Sequence, residues 1–181
     1  YIADFYIPEI DNSVYVINDI MLEYYLINEV FPGKITLLAK SNKSGKLEKL
    51  LQDEMFLSGW KLYIQDLLLK SDYIKNKPEL ALLFLENKLL SVLKLKYQME
   101  YFSSENFEIN TKLLFSESSI NELNNYWFNP IPIYDYLIFN EILDLKDRYL
   151  MNNKLDLNRF NNWLGRDGSH SIYVRQNLLN N

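Results

Sequence analysis

Apolar positions recur at helical spacing over most of the chain. Ile17, Ile20, Met21, Tyr24 and Ile27 repeat at threes and fours after Asn18 and predict a helix with one buried face, which Pro32-Gly33 interrupts. The polar run Asn42-Lys43-Ser44-Gly45-Lys46 predicts a loop, followed by a long helix from about Leu47 to Leu69. Lys77-Pro78-Glu79 marks another start, because Pro suits the first helical turn. The helix it opens is expected to run to about Phe102, with Leu82, Leu85, Leu89, Val92 and Leu93 as its core-facing stripe.

Ser103-Ser104-Glu105-Asn106 breaks that pattern. Short helices are expected near Glu108–Phe115 and Ser118–Trp127, the second opened by a capping box of Ser119 and Glu122. Beyond the stiff connector Asn129-Pro130-Ile131-Pro132, the residues Ile138, Ile142, Leu145 and Tyr149 build an amphipathic helix to about Met151. A short helix over Leu155–Leu164 follows. After the turn Gly165-Arg166-Asp167-Gly168, Ser169 or Ser171 is placed to cap a last helix to Leu179. Only the start differs: Pro8, Asp11-Asn12-Ser13 and the β-branched run to Val16 suggest a short edge strand or hairpin. The expected fold is mainly α, one domain over residues 1–181, with that strand as a minor element. The first residue is Tyr1 and not Met, which suggests a part of something longer.

Composition narrows the chemistry. The 181 residues are 48% hydrophobic and 24% charged, enough to build a substantial core. The formal net charge of −5 argues against a nucleic-acid partner. No run of eighteen apolar residues suggests a membrane span. Abundant Lys and Asn with scarce Ala reads as a coding bias toward A and T. There is no cysteine, so thiolate chemistry and Cys-built zinc sites are excluded, and His170 is the single histidine. A catalytic zinc site usually needs two or three histidines. His170 beside Ser169 does not make a hydrolase triad, since there is no Gly-x-Ser-x-Gly elbow. Gly33-Lys34-Ile35-Thr36 lacks the first glycine of a phosphate loop, because Asn28 occupies that position. Lys88, Lys94 and Lys96 read as a solvated helix face, and Trp127 and Phe128 as core aromatics before a partner anchor.

Three stretches carry a resemblance when taken in order: Ile27-Asn28-Glu29-Val30-Phe31-Pro32-Gly33-Lys34, Phe56-Leu57-Ser58-Gly59-Trp60-Lys61-Leu62-Tyr63, and Asn129-Pro130 through Tyr136 to the end. Together they resemble the C-terminal part of a bacterial family of gluzincin-type zinc peptidases, distant relatives of carboxypeptidase Taq and angiotensin-converting enzyme. That family carries His-Glu before Pro-Gly-His, then Glu-Gly-Trp-Ala-Leu-Tyr, then a Pro-Gly-Gln-Ala-Leu-Ser-Tyr-Lys segment. Ala3–Pro8 and Val14–Val16 look like its edge strand, and Leu155-Asp156-Leu157-Asn158-Arg159-Phe160 like its short late element. The resemblance implies a zincin-like helical C-terminal subdomain of a longer protein, and makes a cell-envelope or extracellular location plausible.

The chemistry residues depart from the family pattern. Asn28 and Lys34 stand where the family has its two histidines, and Ser58 where it has its ligand glutamate. Phe102 stands loosely where another histidine would lie, Leu137 replaces the Lys, and Tyr136 keeps the Tyr. Glu29 alone keeps the general-base position. An amide oxygen, an ammonium and a neutral hydroxyl are poor zinc ligands, and without the metal a base has no acidified water to work on. The expectation is therefore a domain with no metal, no cofactor and no catalytic residue. It would bind a protein or peptide partner through a remnant cleft, or serve as a subunit of an assembly. The candidate binding residues are Glu29, Lys34, Trp60, Tyr63 and Tyr136, with Lys34 expected to pair with Glu29 in the former metal site. Two other readings stand beside this one. One is an active zinc peptidase completed by a missing region or a partner chain; the other is a purely structural protein whose cleft is filled.

Overall fold

The computed structural model describes residues 18–41, 53–103, 134–153, 156–166 and 171–180. Among the described residues the chain is mainly helical and has no strand. The expected N-terminal strand, both short helices before Pro130, the Ser119–Glu122 box, Trp127, Phe128, Pro130 and His170 lie outside them.

Helix α1 (Asp19–Tyr25) starts where Asn18 accepts a hydrogen bond from the Met21 amide at 2.8 Å, satisfying one of the amides that a helix start leaves without a partner. It passes directly into a π-helical turn, Leu26–Val30. The Phe31 amide reaches back to the Leu26 carbonyl at 3.0 Å while Phe31 itself is extended, as a residue before proline prefers. Gly33 then lies so close to the turn that a Cβ there would sit 2.0 Å from the Asn28 carbonyl oxygen, so only glycine fits. Helix α2 (Lys34–Ser41) resumes at once.

Helix α3 runs from Glu54 to Leu69. The periodicity places its start near Leu47, but Asp53 is extended and accepts from the Met55 and Phe56 amides, which fixes the start at Glu54. A 3₁₀ turn, Asp72–Ile74, leads to α4 (Pro78–Ser103). Then come α5 (Tyr134–Asn153), α6 (Leu157–Arg166) and α7 (Ile172–Asn180).

The central contact is α3 along α5. Phe56, Leu57, Trp60 and Tyr63 of α3 meet Ile138, Phe139, Ile142 and Leu145 of α5 in one buried cluster, joined by Phe160 and Leu164 of α6 and Ile172 of α7. The α5 stripe read from the sequence is buried, Tyr149 included. Gly59 sets how closely the two helices approach: a Cβ there would lie 2.4 Å from Ile138 Cγ2.

Helix α4 reverses the sequence reading. Leu82, Leu85 and Leu89 are exposed, while Leu80, Phe84, Leu90, Ser91 and Lys94 are buried. The inward face is the more polar one because its polar groups find partners on α3: Asn87 bonds Gln65, and Lys88 pairs with Asp66 at 2.7 Å. Lys94 at 8% exposure and the partnered Lys88 are therefore not a solvated face. No helix among the described residues is long and apolar enough to cross a membrane.

Candidate functional site

A cleft of about 370 Å³ opens between the π-helical turn, α3, α4 and the first turn of α5. The end of α1 contributes Tyr24 and Tyr25, and the π-helical turn Asn28 and Glu29. Helix α3 contributes Ser58, Lys61, Leu62 and Gln65, whose spacing of three, four and seven places them on one face. Asn87 and Lys94 lie two turns apart on α4, and Asp135 completes the wall from α5.

One side of the cleft is a relay of amides. Asn87 Nδ2 donates to Gln65 Oε1 at 3.1 Å, Gln65 Nε2 donates to Asn28 Oδ1 at 2.7 Å, and Asn28 Nδ2 donates to the Tyr24 carbonyl at 2.8 Å. Asn28 and Gln65 are both buried, so each bond offsets a desolvation that would otherwise cost about 1–3 kcal/mol. The last bond spans one turn and holds the Asn28 side chain against the helix just before its winding changes.

The other side carries charge. Glu29 pairs with Lys61. Asp135 is held above the usual aspartate range, chiefly because burial disfavours its charged form. The nearby Lys94 and Lys61 charges and a hydrogen bond with Ser58 oppose that rise without cancelling it. The Ser58 hydroxyl also donates to the Glu54 carbonyl at 2.8 Å. The cleft thus offers amide donors and acceptors, two ammonium groups and two carboxyl groups within one small volume.

Of the residues that the resemblance singled out for chemistry or binding, Asn28, Glu29 and Ser58 come together here, while Lys34, Trp60, Tyr63 and Tyr136 do not. Lys34 pairs with Glu54 at 3.1 Å, so the expected Lys34–Glu29 pair does not form; Lys61 holds Glu29 instead. The reason is reach: Lys34 opens α2 beyond the Pro32-Gly33 reversal, beside the first turn of α3, whereas Lys61 projects from α3 toward the π-helical turn. Trp60 and Tyr63 are core, not cleft. The Trp60 indole donates to the Pro32 carbonyl at 2.9 Å, and the Tyr63 hydroxyl donates to Asn161 Oδ1 at 2.6 Å. Burial, with the Asp66 charge second, pushes the Tyr63 phenol well above its ordinary range. Tyr136 is half-buried, its ring centroid 5.8 Å from that of Phe139, and does not line the cleft.

Sequence reasoning missed Lys61, Gln65, Asn87, Lys94 and Asp135. Lys61 and Gln65 had a signal, since they follow Ser58 on its helical face; the other three are brought in by tertiary packing alone. Among the described residues no three His, Cys, Asp or Glu side chains are grouped to hold a metal ion. No protein-family model, no curated protein and no solved structure matches this chain.

Proposed function

We propose that this chain is a non-catalytic, peptidase-like domain that binds a peptide or protein segment in the cleft between the π-helical turn and α3–α5. The observation that carries this reading is the state of the residues at the matched ligand positions. Asn28 and Ser58 flank an open cleft beside Glu29, and their polar atoms bond to the protein itself. A filled cleft would have favoured a purely structural role. An open one lined by an amide relay suits a peptide backbone, which presents alternating donors and acceptors of the same kind. The paired carboxylates and ammonium groups suit polar or charged side chains on that segment.

The test is elemental analysis of chelator-free, untagged protein followed by titration with an unlabelled mixture of short peptides, observed by amide NMR. The expected result is less than about a tenth of an equivalent of zinc, since a built site binds the metal tightly. Shifts are expected at Asn28, Lys61, Gln65 and Asn87, with the peptides recovered intact. Peptide hydrolysis that disappears in Glu29→Gln, or close to one equivalent of zinc, would overturn the reading in favour of an active enzyme.

A further inference from the structure

The charges that line the cleft are not equally engaged. Lys61 of α3 already holds Glu29 of the π-helical turn. Lys94 of α4 is buried and has its own interaction within the chain. Asp135, in the first turn of α5, differs from both. Among the described residues no lysine or arginine forms an ion pair with it. Its side-chain hydrogen bond is with the Ser58 hydroxyl. Ser58 has a single proton to give, and the Glu54 carbonyl at 2.8 Å draws on the same one. An ionised Asp135 therefore has neither a direct counter-charge nor a donor to itself. Burial deepens that deficit and favours the neutral acid, although Lys94 and Lys61 act on it through space.

We propose that Asp135 is the specificity residue of the cleft and pairs with a lysine or arginine side chain of the bound segment. The inference rests on the peptide-binding reading above and names the side chain that the cleft selects. A cation supplies what this carboxyl lacks. The open oxygens nearby suit it as well, because lysine and arginine head groups only donate. Asn87 gives its Nδ2 to Gln65, which leaves its Oδ1 to accept, and Lys61 holds Glu29 through Oε1, which leaves Oε2. The rings of Tyr24 and Tyr25, with centroids 5.7 Å apart, line the same cleft and can carry the stem of a long basic side chain. Lys61 and Lys94 repel an incoming cation, but from beyond ion-pair distance of Asp135, whereas the pair with Asp135 is direct, and Coulomb energy falls with separation. A glutamate in the same place would have to draw on a lysine that the chain already uses.

Proton and ligand cation then compete for one carboxyl. Pairing needs the charged form, so binding releases the proton that the empty cleft favours. Affinity for a basic segment is therefore low in acid, rises with pH through the titration of Asp135 and levels off above it. The other titratable groups that line the cleft are Tyr24 and Tyr25 of α1, Glu29 of the π-helical turn, Lys61 of α3 and Lys94 of α4. Comparison with Asp135→Asn separates the Asp135 contribution from that of Glu29.

The test uses three end-blocked tripeptides, Ala-Arg-Ala, Ala-Gln-Ala and Ala-Glu-Ala, titrated into the whole chain by calorimetry and amide NMR. At about pH 7 the wild type is expected to bind the Arg peptide at least about tenfold more tightly than the Gln peptide, the scale of one charged hydrogen bond, with the Glu peptide weakest. In Asp135→Asn, which keeps the shape and removes the charge, the Arg-to-Gln ratio should fall to about one. Wild-type calorimetry in two buffers of different ionisation enthalpy should show proton release on binding the Arg peptide in mild acid, a measurement that needs no variant. Equal affinity for the Arg and Gln peptides, a preference for Glu, or an Arg preference that survives Asp135→Asn would overturn the inference and leave the peptide-binding reading standing. Absence of binding by all three peptides would overturn both.

Discussion

Gly59 shows how one missing atom sets a helix pair. Its Cα lies against Ile138, and an added Cβ would sit 2.4 Å from Cγ2, 2.7 Å from Cβ and 3.0 Å from the Ile138 carbonyl carbon. Two of those atoms cannot swing away. Gly59→Ala gains about 1 kcal/mol in helix propensity but loses about 1–3 kcal/mol to overpacking, so a net loss of up to about 2 kcal/mol is expected in denaturant unfolding. Combined with Ile138→Ala, which removes the nearest atom, the cost of Gly59→Ala should shrink by at least about 0.5 kcal/mol. Strict additivity would place the origin elsewhere. Gly33 acts the same way on the π-helical turn, so two of the chain's five glycines are close-approach positions that hold the cleft's walls. Sequence marked both as resembling a motif; it did not give their function, because what a Cβ would strike is invisible locally.

Between elements, Asp66 ties α3 to α4. It is buried and accepts from Lys70, which caps the end of α3, and from Lys88 across the interface. Burial acts to raise its pKa, but the two lysine hydrogen bonds and charges outweigh it and hold the carboxyl below the ordinary 3.8. Asp66→Ala should therefore cost about 1.5–3 kcal/mol at neutral pH, the range for bonds to charged groups. Because the folded-state pKa is depressed, the charge-dependent part of that difference should persist above about pH 3.8 and be lost as pH falls through the lower folded value. Urea unfolding of both proteins at a series of acidic pH values checks it; a gap that grows on acidification would contradict this ion pair's role. The same interface explains why the α4 stripe was misread. Helical periodicity finds the more apolar face, and Asn87, Lys88 and Lys94 reverse that choice only because Gln65, Asp66 and the cleft lie opposite them.

Across the whole molecule the last helix closes the core. Arg175 is 2% exposed, and its guanidinium carbon lies 4.7 Å from the centre of the Phe56 ring, joining α7 to the start of α3 more than a hundred residues earlier in the chain. Gln176 donates to Glu141 at 2.7 Å and fastens the same helix to α5. A desolvated cation over a ring contributes about 2 kcal/mol, and burying the long stem adds packing, so Arg175→Ala should destabilise the protein by about 2 kcal/mol or more. A loss below about 0.5 kcal/mol, the scale of a surface substitution, would mean that α7 is peripheral to the fold.

The sequence by itself determined what is local. Asn18 and Pro78 mark helix starts, Pro32-Gly33 marks the interruption after α1, and the Ile138, Ile142, Leu145 and Tyr149 stripe gives the buried face of α5, since capping and periodicity act over a turn or two. It also brought Asn28, Glu29 and Ser58 forward as a set. Tertiary structure alone decided that Lys61 and not Lys34 meets Glu29, that Trp60 and Tyr63 belong to the core, that Lys94 and Asp135 face the same cleft, and that α4 turns Leu82, Leu85 and Leu89 outward. Each of these depends on which distant group completes a hydrogen bond or ion pair, and a buried polar side chain is tolerated only where such a partner waits.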